Sequence, residues 1–188
     1  MSSTSTLHFL ELSFQEDGDE MLPIAVAYVH AFNAKNGNVL GVDFPGWAPA
    51  RNFQGSASLR VLGSAEVLAS FVAQPKVSRL ATLCGLSLKV AAVPAGAALA
   101  AVTRDNRGDR AKPSYARRIA RRAAEQTGAP IEQVVARTTR PSEVSVSLTS
   151  ASNKQNFLLK LKKRVVPASE QLQFNAYGLC IQGGIPQF

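Results

Sequence analysis

A chain of 188 residues, 46% of them hydrophobic and 18% charged, is long enough to bury one substantial core or two small ones and has the composition of a globular protein. It holds no apolar run near the roughly 18 residues of a membrane span, and Met1-Ser2-Ser3-Thr4-Ser5-Thr6 has neither the basic start nor the apolar core of a signal segment, so a cytoplasmic protein with no membrane partner is expected. The two cysteines, Cys84 and Cys180, lie far apart and away from any histidine pair, which argues against a zinc motif or a disulfide framework; no metal or cofactor is expected.

Residues 6–14 alternate, with His8, Leu10, Leu12 and Phe14 on one side, and read as a strand. An acidic turn over 15–20 precedes a helix predicted over 21–33. With Ile24 set at 0°, Met21, Tyr28, Ala31 and Phe32 fall between about −20° and 80° and form the expected apolar stripe. His30 falls near 240° on the same wheel, away from that stripe, so it is either an ordinary exposed histidine or one that faces something else. Asn36-Gly37-Asn38 is a turn, 39–44 a short strand, and Pro45-Gly46-Trp47-Ala48-Pro49 an irregular loop. Residues 58–62 read as a strand, 64–71 as a helix with Ser64 as its N-cap, and 86–93 as another strand. The order strand, helix, strand, strand, helix, strand is the split βαβ pattern of a ferredoxin-like domain, expected over residues 1–94. Such a scaffold does not by itself give a function.

Residues 94–100 are small and apolar and read as a joint. Beyond it the charge changes: residues 101–164 hold 15 Lys or Arg against 5 Asp or Glu, a net of +10 in a chain whose total is +8. Arg104, Arg107, Arg110 and Lys112 lead into Ser114–Glu125, where Arg, Ala and Ile favour a helix that Pro113 can begin and Gly128 can stop. Arg117, Arg118, Arg121 and Arg122 fall at about 0°, 100°, 40° and 140° around it and share one face. Glu125 is the sole acid of the stretch and lies past the cluster. Such a face calls for a polyanion, of which a nucleic-acid backbone is the commonest; an anionic membrane fits less well, because the helix has no broad face of large apolar residues. A second short helix is expected over 131–138, then strands over 144–148 and 156–161 joined by a polar loop, with Lys160 and Lys162 making one face of the second strand basic. A last strand near 173–179 leads to Gly183-Gly184-Ile185-Pro186-Gln187-Phe188. The class is therefore α+β: a ferredoxin-like domain followed over 95–188 by a basic half with an arginine-rich helix and a small antiparallel sheet.

Several of these stretches, in this order, resemble the CRISPR repeat-processing endoribonuclease of type I-F systems. Phe174, Tyr177-Gly178-Leu179, Gly183-Gly184, Pro186 and Phe188 are similar to that family's closing motif. His30 followed by Gly41-Val42-Asp43-Phe44-Pro45 resembles its histidine-bearing helix and the strand after it, and Arg117-Arg118 with Arg121-Arg122 its arginine-rich helix. The resemblance implies that His30 takes the proton from a ribose 2′-hydroxyl, that Ser150 holds that oxygen, and that Tyr177 supports the histidine. It implies that the arginine helix enters the major groove of the CRISPR repeat stem-loop, that Arg104 and Asn106 read base pairs near the cut, and that Phe157 stacks on the stem. It also implies a protein that is monomeric when free, works without a metal, and stays on the crRNA hairpin beside the other subunits of the type I-F surveillance complex.

The chemistry is reasonable in its own terms. RNA carries its own nucleophile, so cleavage needs a base, alignment of the 2′-oxygen and stabilisation of charge, and an imidazole with a reference pKa of about 6.5 can accept a proton at neutral pH. Taken singly, Ser150 reads as a turn residue, Tyr177 as a core aromatic and His30 as a surface histidine; only the set singles them out. The other readings are a non-catalytic basic RNA-binding or assembly subunit and a DNA-binding regulator.

Overall fold

The computed structural model describes residues 6–15, 18–46, 57–105, 121, 122, 125, 144–150, 155–167 and 171–188. In the first half β1 (His8–Phe14), β2 (Gly41–Asp43), β3 (Ala57–Gly63) and β4 (Val90–Ala92) form an antiparallel sheet in the order β2-β3-β1-β4. Helix α1 (Gly18–Asn36) connects β1 to β2, and α2 (Ala65–Val72) with α3 (Pro75–Cys84) connects β3 to β4. Leu10, Leu12 and Phe14 alternate into the core from β1, as their period of two requires. Ser64 caps α2 by accepting a 3.3 Å hydrogen bond from the Val67 amide. Helix α3 has no counterpart in the sequence reading; Pro75 sits in its first turn and Gly85, at φ 61°, stops it.

The rotation of α1 also differs from the expected one. Its buried face is Leu22, Ala25, Val26, Val29, Phe32 and Asn33, while Ile24 is exposed. The helix carries more apolar residues than one face can hold, and a polar side chain selects the face. Asn33, fully buried, donates from Nδ2 to the Leu40 carbonyl and accepts at Oδ1 from the Leu40 amide, both at 2.9 Å. A buried amide satisfied on both sides by backbone fixes the helix against the start of β2.

In the second half β5 (Ala98–Arg104), β6 (Val144–Thr149), β7 (Asn156–Val165) and β10 (Ile185–Gln187) form an antiparallel sheet in the order β10-β5-β7-β6, and β8 (Gln173–Phe174) pairs with β9 (Cys180–Gln182). The expected joint over 94–100 thus ends inside a strand. Its alanines have little β propensity of their own, and pairing with β10 and β7 on both edges decides the conformation. Of the last expected strand, near 173–179, only Gln173 and Phe174 are extended as β8, and 175–179 form the turn that leads into β9.

Buried apolar residues of both sheets make one continuous core, from Leu10 and Val29 to Val102, Leu161 and Ile185. An ionic network crosses it. Asp43 on β2, 1% exposed, meets Lys163 of β7 at 2.8 Å and Arg60 of β3 at 3.9 Å, and Arg60 also meets Glu11 at 2.8 Å. Arg60 donates to the backbone oxygen of Phe188 at 2.9 Å and lies 3.9 Å from the centre of its ring. Among the described residues no helix is long and apolar enough to cross a membrane. The structure is α+β, as expected.

Candidate active site

His30 sits on the flank of α1, half-buried beside the helix's core face. Its ring is stacked on that of Tyr177, with centroids 4.2 Å apart and planes 8° from parallel. Its Nδ1 is buried and has no hydrogen-bond partner among the described residues. The helix wheel leaves open whether His30 is simply exposed or faces something else; the structure gives it a face, an aromatic ring delivered from the far end of the chain.

Tyr177 reaches that place through a turn that docks on β2. Asn175 Oδ1 accepts from the amides of Tyr177 at 2.9 Å and Leu179 at 3.1 Å, and the Asn175 carbonyl accepts from the Gly178 amide at 2.9 Å. The Gly178 carbonyl then accepts from the Val42 amide at 2.9 Å. Gly178 has φ 76°, and a Cβ there would lie 2.9 Å from Val42 Cγ1 and 3.1 Å from the Leu40 oxygen, so conformation and space both require glycine. Next to Val42 on β2, a Cβ on Gly41 would collide with the Phe174 ring. The Gly41-Val42 stretch and the closing motif are therefore two halves of one contact. Asn175 was not among the expected site residues, although an Asn that starts an Asn-Ala-Tyr-Gly segment is a recognisable turn signal.

Phe157 of β7 meets Tyr177 edge to face, with centroids 6.4 Å apart and planes at 74°. Opposite Phe157 stands Leu148 of β6, and Ser150 follows two residues later, half-buried, its amide donating 2.9 Å to the Gln155 carbonyl at the hairpin mouth. Ring contacts thus unite His30, Tyr177 and Phe157, and the β6–β7 hairpin carries Ser150 beside Phe157. Arg104 ends β5 opposite Leu161, exposed, and register places it on the same face of the sheet as Phe157.

Of the other expected RNA-binding residues, Asn106, Arg117 and Arg118 lie outside the described residues, as does the short helix expected over 131–138. Arg121, Arg122 and Glu125 have helical backbone and are exposed. Glu125 does not stand apart from the cluster: its Oε1 is 3.8 Å from Arg121 Nε, one turn back. Both side chains are open to solvent, so the pair is weak, screened by salt and readily given up to a stronger anion. Buried Cys180 is no rival nucleophile; burial pushes its thiol above the ordinary value, against a backbone hydrogen bond at Val102, with Asp43 adding to the rise.

A family model described as CRISPR-associated protein (Cas_Csy4) matches residues 15–188. The chain belongs to the Csy4 family. This is the family of type I-F crRNA-processing endoribonucleases, which bind CRISPR repeat RNA. The match covers every element that builds the stacked pair: α1 with His30, β2 with Gly41, the β6–β7 hairpin, and the turn that presents Tyr177. No curated protein is similar enough to this Csy4-family chain to be matched to it.

Proposed function

We propose that the chain binds the CRISPR repeat stem-loop and cuts precursor crRNA without a metal, by attack of a ribose 2′-oxygen on the adjacent phosphorus. His30 removes the 2′-hydroxyl proton, the Ser150 hydroxyl holds the oxygen in line, and the P–O5′ bond breaks. The products are a 2′,3′-cyclic phosphate and a 5′-hydroxyl, the proton ending on the leaving oxygen. The observation that carries this reading is the stack of His30 on Tyr177. Near-parallel stacking restrains the plane of the imidazole, and a base positioned before substrate arrives loses no rate to reorientation.

Arg117, Arg118, Arg121 and Arg122 hold the stem, Arg104 and Asn106 read base pairs near the cut, and Phe157 stacks on the closing base pair. A-form RNA has a deep, narrow major groove, so the helix arginines act mainly on phosphates. Residues 1–94 supply the base on a ferredoxin-like scaffold and 95–188 the RNA-binding half. The antiparallel order β2-β3-β1-β4, with helices between β1 and β2 and between β3 and β4, supports the scaffold reading. The protein is monomeric and cytoplasmic when free, and remains on the crRNA hairpin as a subunit of the surveillance complex. End-group analysis tests the chemistry. A cyclic phosphate on the upstream product, and no cleavage of RNA carrying a single 2′-deoxy ribose before the cut, is expected; a 5′-phosphate product, or cleavage of the deoxy substrate, refutes it. RNA that is bound and left intact points to the non-catalytic subunit instead.

A further inference from the structure

The β10-β5-β7-β6 sheet has two unlike faces. Along β7, Leu159, Leu161 and Lys163 point inward, the last to Asp43, while Leu158, Lys160, Lys162 and Arg164 point outward. Most cross-strand neighbours on the outer face are small, with Ser145 opposite Lys160, Thr103 opposite Lys162 and Ala101 opposite Arg164, and on the β5 side the amide of buried Asp105 donates to the Lys160 carbonyl at 2.7 Å. Three cations therefore stand at every second residue, about 6.6 Å apart from the strand rise. That interval is comparable to the spacing of successive phosphates along a nucleic-acid backbone. None of the three has an ion-pair partner among the described residues, and like charges so placed repel one another. Beside Arg164 opens a cavity of about 280 Å³, lined also by Thr103 and Gln182, with room for a sugar–phosphate unit. Leu158, 55% exposed at the other end of the row, offers an apolar surface to a base.

We propose that this outer face is a second RNA surface, which takes the phosphates of an unpaired strand continuous with the bound stem-loop. The inference rests on the function proposed above, because it needs that stem-loop to be held. An unpaired strand fits better than the stem itself. His30, Tyr177 and Phe157 lie on the inner side of the sheet, so RNA reaching the outer face must turn around an edge, which a flexible strand does and a duplex does not. A straight row of cations among small side chains also follows one backbone, whereas a stem presents two across a groove.

The test is an anisotropy titration with the repeat hairpin alone and with the hairpin carrying a short unpaired tail at its 5′ or its 3′ end. All RNAs carry a 2′-deoxy ribose at the cut. The parent is expected to bind one tailed RNA more tightly than the bare hairpin. Lys160→Gln with Lys162→Gln and Arg164→Gln should lose that gain, about 10- to 50-fold at physiological salt, and lower the log-log salt slope by about 2, for three single-strand phosphate contacts. Affinity for the bare hairpin should not change, and Lys160→Arg with Lys162→Arg should keep the gain. Equal binding of the tailed RNAs by parent and triple variant overturns the proposal, as does an equal loss on tailed and bare RNA. A parent that does not bind the bare hairpin strikes the proposed function first.

Discussion

At the scale of single residues, the stacked pair makes separable predictions about ring and hydroxyl. If Tyr177 acts by contact of its ring with His30, Tyr177→Phe should cleave bound RNA within about 3-fold of the parent, whereas Tyr177→Leu, which fills space without a plane to stack on, should fall by about 100-fold, the scale of a misplaced catalytic group. Single-turnover rates decide between them. A large loss in the Phe variant would transfer the role to the hydroxyl. Asn175 belongs to the same argument one step back, since its Oδ1 holds the amides of Tyr177 and Leu179. Asn175→Leu should slow cleavage about 10-fold with hairpin affinity unchanged, and Asn175→Asp, which still accepts both bonds, should restore most of the rate. Equal rates for Asn175→Leu and the parent would remove Asn175 from the positioning of Tyr177.

At the scale of elements, the contact between β2 and the closing turn joins two motifs more than 130 residues apart, and the Asp43 network ties β2 to β7. Asp43 is almost wholly buried between Lys163 and Arg60, and loss of one partner leaves a buried charge poorly compensated. Lys163→Ala should therefore destabilise the fold by about 3 kcal/mol, read in a denaturant midpoint, while Lys163→Ala with Asp43→Ala should cost less than Lys163→Ala alone. Simple addition of the two single losses would mean that the pair is not coupled. This scale also shows what was legible in the sequence. Ser64 announced α2 because a cap is a local signal, and the alternation of β1 announced its buried face. The rotation of α1 was not legible, because it depends on the Asn33 side chain meeting the Leu40 backbone, and a count of apolar residues omits an asparagine. Nor was β5 legible, since Ala-Leu-Ala-Ala-Val becomes a strand only through its neighbours. The candidate site residues stand out in the sequence only as a set, by resemblance, because each taken alone has an ordinary structural role; the stacking of His30 on Tyr177 was not legible, since it requires the whole chain to fold back.

Across the whole molecule, the proposed function gives the holding of RNA and its cutting to different surfaces. Arg121 meets Glu125 only in solvent, a weak pair, so its charge is available to an external anion. Hairpin affinity should therefore fall with salt, with a log-log slope of about 0.7 to 0.9 per phosphate contact. Arg118→Ala with Arg121→Ala should lower both affinity and slope while leaving the cleavage rate of saturated RNA nearly intact; equal affinity for parent and variant would deny the cluster its role. In the proposed reaction, cutting depends instead on His30 from the first half and on Ser150 and Tyr177 from the second, and the closing turn brings Tyr177 onto His30. The most direct measurement of that claim is the single-turnover cleavage of the cognate repeat RNA in EDTA by parent and His30→Ala at saturating protein. The parent should cut, and His30→Ala should bind the hairpin equally well and leave it whole. Cleavage by His30→Ala at the parent's rate, or a parent that cuts only when a divalent ion is restored, would contradict the account.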